Sequence, residues 1–184
     1  MFALESCIFY LRGEIFLLIL GIDPGIAITG YGVVQTKGQK AFALDYGCIS
    51  TPAKAPAPDR LLHIYEGLQQ ILTSFNPDAV AIEKIFFAKN ANSAMQVGEA
   101  RGVAVLAACH AGLQVFEYTP LQVKQAVVGY GRAEKQQVQQ MVKLILGLTE
   151  LPRPDDAADG LAIALCHAHS GASREAVIRR GKYV

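Results

Sequence analysis

Apolar positions run unbroken from Ile15 to Leu20 and close on Gly21-Ile22-Asp23-Pro24-Gly25. An apolar run ended by a turn signal predicts a buried central strand. Pro24-Gly25 stops that strand and turns the chain tightly. Asp23 is left at the strand's end, where open α/β sheets bind their ligands. Gly30 and Gly32 leave the backbone beside it uncrowded. The pattern then shifts to Thr, Tyr and Val among glycines over Ile28 to Thr36, a second strand. Lys37 to Lys40 reads as a turn and Ala41 to Ile49 as a third strand, so the first three strands form an antiparallel meander.

Thr51 to Asp59, with three prolines, is a loop. Leu61, Tyr65, Leu68, Leu72 and Phe75 recur at helical spacing and predict an amphipathic helix ended by Asn76-Pro77. Ala79 to Ile82 is a short buried strand finishing on Glu83, again an acid at a strand end. Phe86 and Phe87 follow, then the polar stretch Lys89-Asn90-Ala91-Asn92, with Ser93 placed to cap the next helix. That helix, Ala94 to Ala111, is apolar on more than one face, which makes it either central or pressed against a second subunit. Gln114 to Tyr118 is a fifth strand. Thr119-Pro120 opens a helix with a capping hydroxyl and a first-turn proline, and Gly129 to Arg132 breaks it. Ala133 to Leu146 is the next helix. After the Leu151–Pro154 connector, a last helix runs from about Asp155 to His169. Three strands followed by helices alternating with strands describe a mixed α/β sheet with a parallel second half.

Charge and cysteine content narrow the classes. The chain of 184 residues is 52% hydrophobic and 18% charged, rich enough in apolar residues for a well-buried sheet. No stretch spans a membrane, because Arg12, Gly13 and Glu14 interrupt the N-terminal run. No basic segment precedes that run and no small-residue cleavage site follows it, so the expected location is cytoplasmic. Cys7, Cys48, Cys109 and Cys166 are scattered, which fits reduced thiols in that compartment. His167 and His169 sit two apart, point different ways on a helix and make a poor metal pair.

The candidate chemistry lies in the acids. Asp23 and Glu83 each end a strand, and Asp156 and Asp159 are i,i+3 on one helix face. Crowded carboxylates need counter-charge, and hard divalent cations with oxygen ligands supply it; magnesium suits few carboxylates plus phosphate oxygens. Two such ions about 3.5–4 Å apart stabilise both the attacking and the leaving oxygen of a phosphoryl displacement. The helix dipole by itself accounts for any one first-turn acid, though not for two strand-end acids as well. With these four set aside, 12 of the 16 acids remain against 17 Lys and Arg, a surplus of +5 that a polyanionic partner would meet.

GIDPG at 21–25 with TGYG at 29–32, AIEKIFFAKNANSA at 81–94, ARGVAV at 100–105, EYTPLQVKQAVVGYGRAEKQQV at 117–138 and DDAADGLAIALCHAH at 155–169 resemble the RuvC family of crossover junction endodeoxyribonucleases. The resemblance covers about Leu17 to His169. It implies a ribonuclease-H-like mixed five-stranded sheet flanked by helices, a homodimer, and two magnesium ions per subunit, with manganese able to substitute. It also implies paired nicking of opposed strands in four-way junction DNA during recombination and repair, a short thymine-containing preference, and partnership with the RuvA–RuvB branch-migration complex. Asp23, Glu83, Asp156 and Asp159 fall on the family's acidic positions. Phe86 resembles an aromatic that inserts beside unpaired bases. Lys124 and Lys135 match lysines near the scissile phosphates, while Lys89, Asn90 and Asn92 lie within reach of bases or backbone.

Two features depart from the family pattern. Residues 1–14 read as an N-terminal extension or an early start, before a nuclease domain at 15–170 and a tail at 171–184. Asp155 adds a fifth acid. The small residues of Asp156-Ala157-Ala158-Asp159-Gly160 place the expected pair at 156 and 159, and the alanines let the helix pack close to the sheet edge carrying Asp23 and Glu83. Asp155, next to Pro154, is then a first-turn acid interacting with exposed backbone N–H groups. Two alternatives remain at this point: an actin-like or sugar-kinase-type ATPase half, and a non-catalytic junction-binding protein of the same fold.

Overall fold

A computed structural model describes the backbone of residues 16–84 and 91–170, and the side chains of all these except 91–93. The expectations for residues 1–14, the 171–184 tail, Phe86, Lys89 and Asn90 lie outside the described residues. The leading apolar run becomes β1 (Phe16–Asp23), and the meander continues through β2 (Ile28–Lys37) and β3 (Lys40–Ser50). Helix α1 (Ala57–Phe75), β4 (Ala79–Glu83), α2 (Ala91–His110) and β5 (Val115–Tyr118) follow. Three helices close the described chain: α3 (Pro120–Val128), α4 (Lys135–Leu146) and α5 (Asp155–His169).

The sheet order is β3-β2-β1-β4-β5. β1 pairs antiparallel with β2 and parallel with β4, and β4 pairs parallel with β5. The mixed sheet expected from the sequence is therefore present. β1 and β4 are interior strands, as the apolar run before Asp23 predicted for β1, and their acids stand at the strands' carboxyl ends. Period-two alternation divides their side chains between two cores. Leu17, Ile19 and Ala81 face a core shared with α3, α4 and α5. Leu20, Ile22, Val80 and Ile82 face the core closed by α1 and α2.

Helix α5 is buried along most of its length because the sheet covers one side and α3 and α4 the other. It approaches the strands closely only because glycines meet it. A Cβ on Gly32 would stand 2.6 Å from the Leu161 nitrogen, and one on Gly160 would stand 2.5 Å from the Tyr31 carbonyl carbon. The space beside Asp23 is thus filled by α5 and is not the open backbone expected from Gly30 and Gly32. Helix α2 spans Ala91–His110, so Ser93 stands within it and not at the position before it where the sequence placed a cap. Its apolar character is partly internal: Ala100, Ala104, Ala107 and Ala108 are fully buried, while Met95 and Leu106 are exposed. An ion pair between Arg101 and Glu117 ties α2 to β5.

Candidate active site

Asp23 and Glu83 belong to the rows of β1 and β4 that face α5, continuing Leu17-Ile19-Gly21 and Ala79-Ala81. The two strands are parallel with Ile22 opposite Ile82, so both carboxylates leave the sheet at its carboxyl end, side by side. Helix α5 starts above them. Asp23 pairs with Gly30 across the β1–β2 ladder, and Gly30 lies under the first turn of α5. A Cβ there would stand 2.5 Å from the Asp156 carbonyl carbon. This seat sets Asp156 beside Asp23, and one turn later Asp159 reaches the same point. Carboxylate oxygens of Asp23, Asp156 and Asp159 all lie within 4.8 Å of one another. Asp155 is exposed and outside this group, an acid in the first turn of α5 directly after the N-cap residue Pro154.

Glu83 joins through the adjoining cleft, where it lines the wall with Asp23, Asp159, Lys124 and Lys135 over a floor that includes Val123, Val138 and Ile163. Thr119 caps α3 with a reciprocal Thr119–Gln122 capping box, which fixes the helix carrying Lys124. An equivalent box between Glu134 and Gln137 opens α4 and fixes Lys135. Both lysines expected beside a phosphate therefore flank the acids. Lys135 Nζ is 3.0 Å from Asp159 Oδ2.

The electrostatics are those of a site short of positive charge. Burial, then the charges of Asp159 and Asp156, push Asp23 up to about 6 against the opposing pull of Lys135. Burial, then Asp23 and Asp159, push Glu83 up to about 7, with Lys124 pulling it down. Asp159 is raised by burial despite its bond to Lys135. Burial works against the charge of Lys135, but Asp159, Asp155 and Asp156 outweigh it and raise its pKa. Three clustered carboxylates with a fourth beside them, all oxygen donors and partly buried, fit hard divalent cations.

Sequence reasoning passed over Cys48. It pairs with Gly30 in the same cross-strand row as Asp23, on the far side of Asp156, and burial followed by the Asp156 charge pushes its thiol up to about 11. Reading the β2–β3 register would have found it. His167 is fully buried, with Nδ1 2.7 Å from the Tyr118 hydroxyl, and burial lowers its pKa to about 4. It is a neutral core residue of the β5–α5 contact. His169 is exposed and turned toward the Ala126 carbonyl, so the two histidines form no metal pair.

Sheet order and acids at the carboxyl ends of two central strands define a protein of the ribonuclease-H-like class. The family model described as "Crossover junction endodeoxyribonuclease RuvC" matches residues 19–167. The RuvC of Alkaliphilus oremlandii is 58% identical over 155 residues, which cover 84% of this chain and 94% of that protein. The RuvC of Desulfitobacterium hafniense is 58% identical over 154 residues, covering 84% and 93%. Among solved structures, T. thermophilus RuvC in complex with a Holliday junction substrate superposes with a TM-score of 0.81 at 44% identity, over 87% of this chain and 97% of that one. The chain belongs to the RuvC family of crossover junction endodeoxyribonucleases, nucleases that hydrolyse phosphodiester bonds. Neither the ATPase half nor the non-catalytic binder is favoured.

Proposed function

We propose that this chain resolves Holliday junctions, nicking two opposed strands of four-way junction DNA in a magnesium-dependent reaction that serves recombination and repair. The observation that carries the reading is the convergence of Asp23, Asp156 and Asp159 within 4.8 Å, in a chain of this family. Asp23, Glu83, Asp156 and Asp159 would hold two Mg2+ ions per subunit, with Mn2+ as a substitute. When bound, such ions supply Lewis-acid stabilisation of the attacking and leaving oxygens. Lys124 and Lys135 hold the scissile phosphate against the acids and position the strand without reading its sequence. Phe86 stacks on bases at the crossover, and Lys89 and Asn90 contact the adjoining strand.

Residues 15–170 act as the nuclease domain, with 1–14 an extension or an early start and 171–184 a tail. The protein works in the cytoplasm with a RuvA–RuvB-type branch-migration complex; none of the described helices is long and apolar enough to cross a membrane. Two copies act together, because paired cuts on a two-fold substrate call for two sites related by a two-fold axis. The exposed Met95 and Leu106 on the outer side of α2 support that helix as the contact between copies.

The deciding experiment is cleavage of a synthetic four-way junction with and without Mg2+ by the parent protein and Asp23→Asn. The parent should cut two opposed strands only with metal, and the variant should bind the junction without cutting. Normal cleavage by Asp23→Asn would refute the acid assignment.

A further inference from the structure

We propose that Arg60 is a positioning residue for the reaction: with Thr51 it clasps the turn that follows Asp23 and fixes where that carboxylate stands. The proposal rests on the reading of Asp23 as a metal-holding acid.

Asp23 is the last paired residue of β1, so its direction depends on the turn beyond it, residues 24–27. Three successive carbonyls of this turn are held from within the protein. The Thr29 hydroxyl donates to Gly25 O at 2.8 Å. The Ile26 carbonyl accepts the Thr51 hydroxyl at 2.5 Å and Arg60 Nη2 at 3.2 Å. The Thr51 N–H donates to Ala27 O at 3.0 Å. Arg60 Nε donates to Thr51 Oγ1 at 2.8 Å, which leaves that hydroxyl's proton for Ile26 and closes a three-membered ring of bonds.

Arg60 comes from the first turns of α1, on the side of the sheet opposite α5, so it touches none of the four acids and acts on Asp23 through the turn. Its fork reaches two acceptors at once and keeps its charge. Charge-assisted bonds of this kind are stronger than neutral ones. A lysine ammonium lacks the fork and would not reproduce the pair. A reacting group displaced by about 1 Å costs about a hundred-fold in rate, so loosening this turn should appear in metal binding and catalysis before it appears in DNA binding.

The test compares Arg60→Met, Arg60→Lys, Thr51→Val, Thr51→Ser and Asp23→Asn in the full chain. Mn2+ binding to the DNA-free protein is read by electron paramagnetic resonance, junction affinity in EDTA, and single-turnover cleavage across a Mg2+ titration. Arg60→Met and Thr51→Val should each weaken Mn2+ binding about ten-fold and slow cleavage between about ten- and a hundred-fold, with junction affinity in EDTA unchanged. Arg60→Lys should not restore them, Thr51→Ser should, and a chain carrying both Arg60→Met and Thr51→Val should be no worse than Arg60→Met alone, because the pair acts as a unit.

Parent-like Mn2+ binding and cleavage by Arg60→Met overturns the clasp. So does a loss of junction affinity in EDTA that matches the loss of cleavage, which would make Arg60 a DNA contact. Should Arg60→Met not fold, Thr51→Val decides on the same readouts. If Asp23→Asn binds Mn2+ and cuts like the parent, the metal reading fails and the clasp with it. If Asp23→Asn is inert while Arg60→Met is normal, only the clasp falls.

Discussion

Lys135 Nζ lies 3.0 Å from Asp159 Oδ2, a lysine expected on a DNA phosphate bonded instead to a member of the acidic cluster. The pair gives the carboxylates one fixed positive charge before metal or DNA arrives. It also holds Lys135 in the lining of the cleft, which Lys124 shares and where the Lys124 charge acts on Glu83. With Asp159 among the residues that would hold a divalent cation, Lys135 would be free to meet a phosphate oxygen.

Alanine at Lys135 or at Lys124 should therefore slow cleavage and lower the salt dependence of junction binding by about one ion per lost contact. Binding measured over a range of salt concentrations checks this, and an unchanged slope together with unchanged cleavage would return the lysine to a solvated surface role.

Asp156 and Asp155 are separated by the Gly30 seat. Asp156→Asn should abolish magnesium-dependent cleavage, since its carboxylate is grouped with Asp23 and Asp159. Asp155→Asn should retain it and lose at most about 1 kcal/mol of helix-end stability. Cleavage assays with thermal melts on both variants decide it; the reverse pattern would move the acid pair by one residue.

Without metal the acids oppose folding, and the sign follows from their shifts. Asp23 is raised from 3.8 to about 6 and Glu83 from 4.5 to about 7. Both forms of the protein are protonated at these groups only well below the unfolded values of 3.8 and 4.5. As pH rises, the unfolded chain ionises first, so stability is lost progressively until the folded groups ionise near pH 6 to 7. Asp23→Asn removes part of this repulsion. The metal-free variant should be more stable than the parent at pH 8, on the order of 1–2 kcal/mol, and the gap should narrow sharply by pH 4. Mg2+ should raise the melting temperature of the parent more than that of the variant. Urea unfolding in EDTA at the two pH values checks the sign.

Gly30→Ala tests the seat itself. The added methyl meets the Asp156 backbone, 2.5 Å from its carbonyl carbon, and backbone cannot rotate away. The expected cost is about 1–3 kcal/mol of stability with a larger loss of cleavage, because the helix start must lift from Asp23. Gly38→Ala is the control: nothing lies within 4 Å of its Cβ, but its φ of +60° is strained for alanine, so stability should fall while cleavage per folded molecule stays normal.

The sequence by itself determined the elements and the acids' addresses. The apolar run before Asp23, the helical spacing from Leu61 to Phe75 and the Thr119-Pro120 opening are local signals, set by side-chain periodicity and capping, and each element stands where those signals put it, except that α1 already starts at Ala57, inside the stretch read as a loop. The strand-end positions of Asp23 and Glu83 were legible for the same reason. What lay beyond the sequence was adjacency. The parallel pairing of β1 with β4, the passage of α5 over Gly30 and Gly32, and the meeting of Asp159 with Lys135 join residues far apart in the chain. Periodicity carries no information about such pairings. The clasp of Arg60 and Thr51 on Ile26 was equally hidden, because an arginine in the first turns of an amphipathic helix reads as solvated surface until the fold brings a carbonyl to it. Only tertiary packing, which removes water from those groups and leaves each other as partners, decided which of the acids and cations became one site.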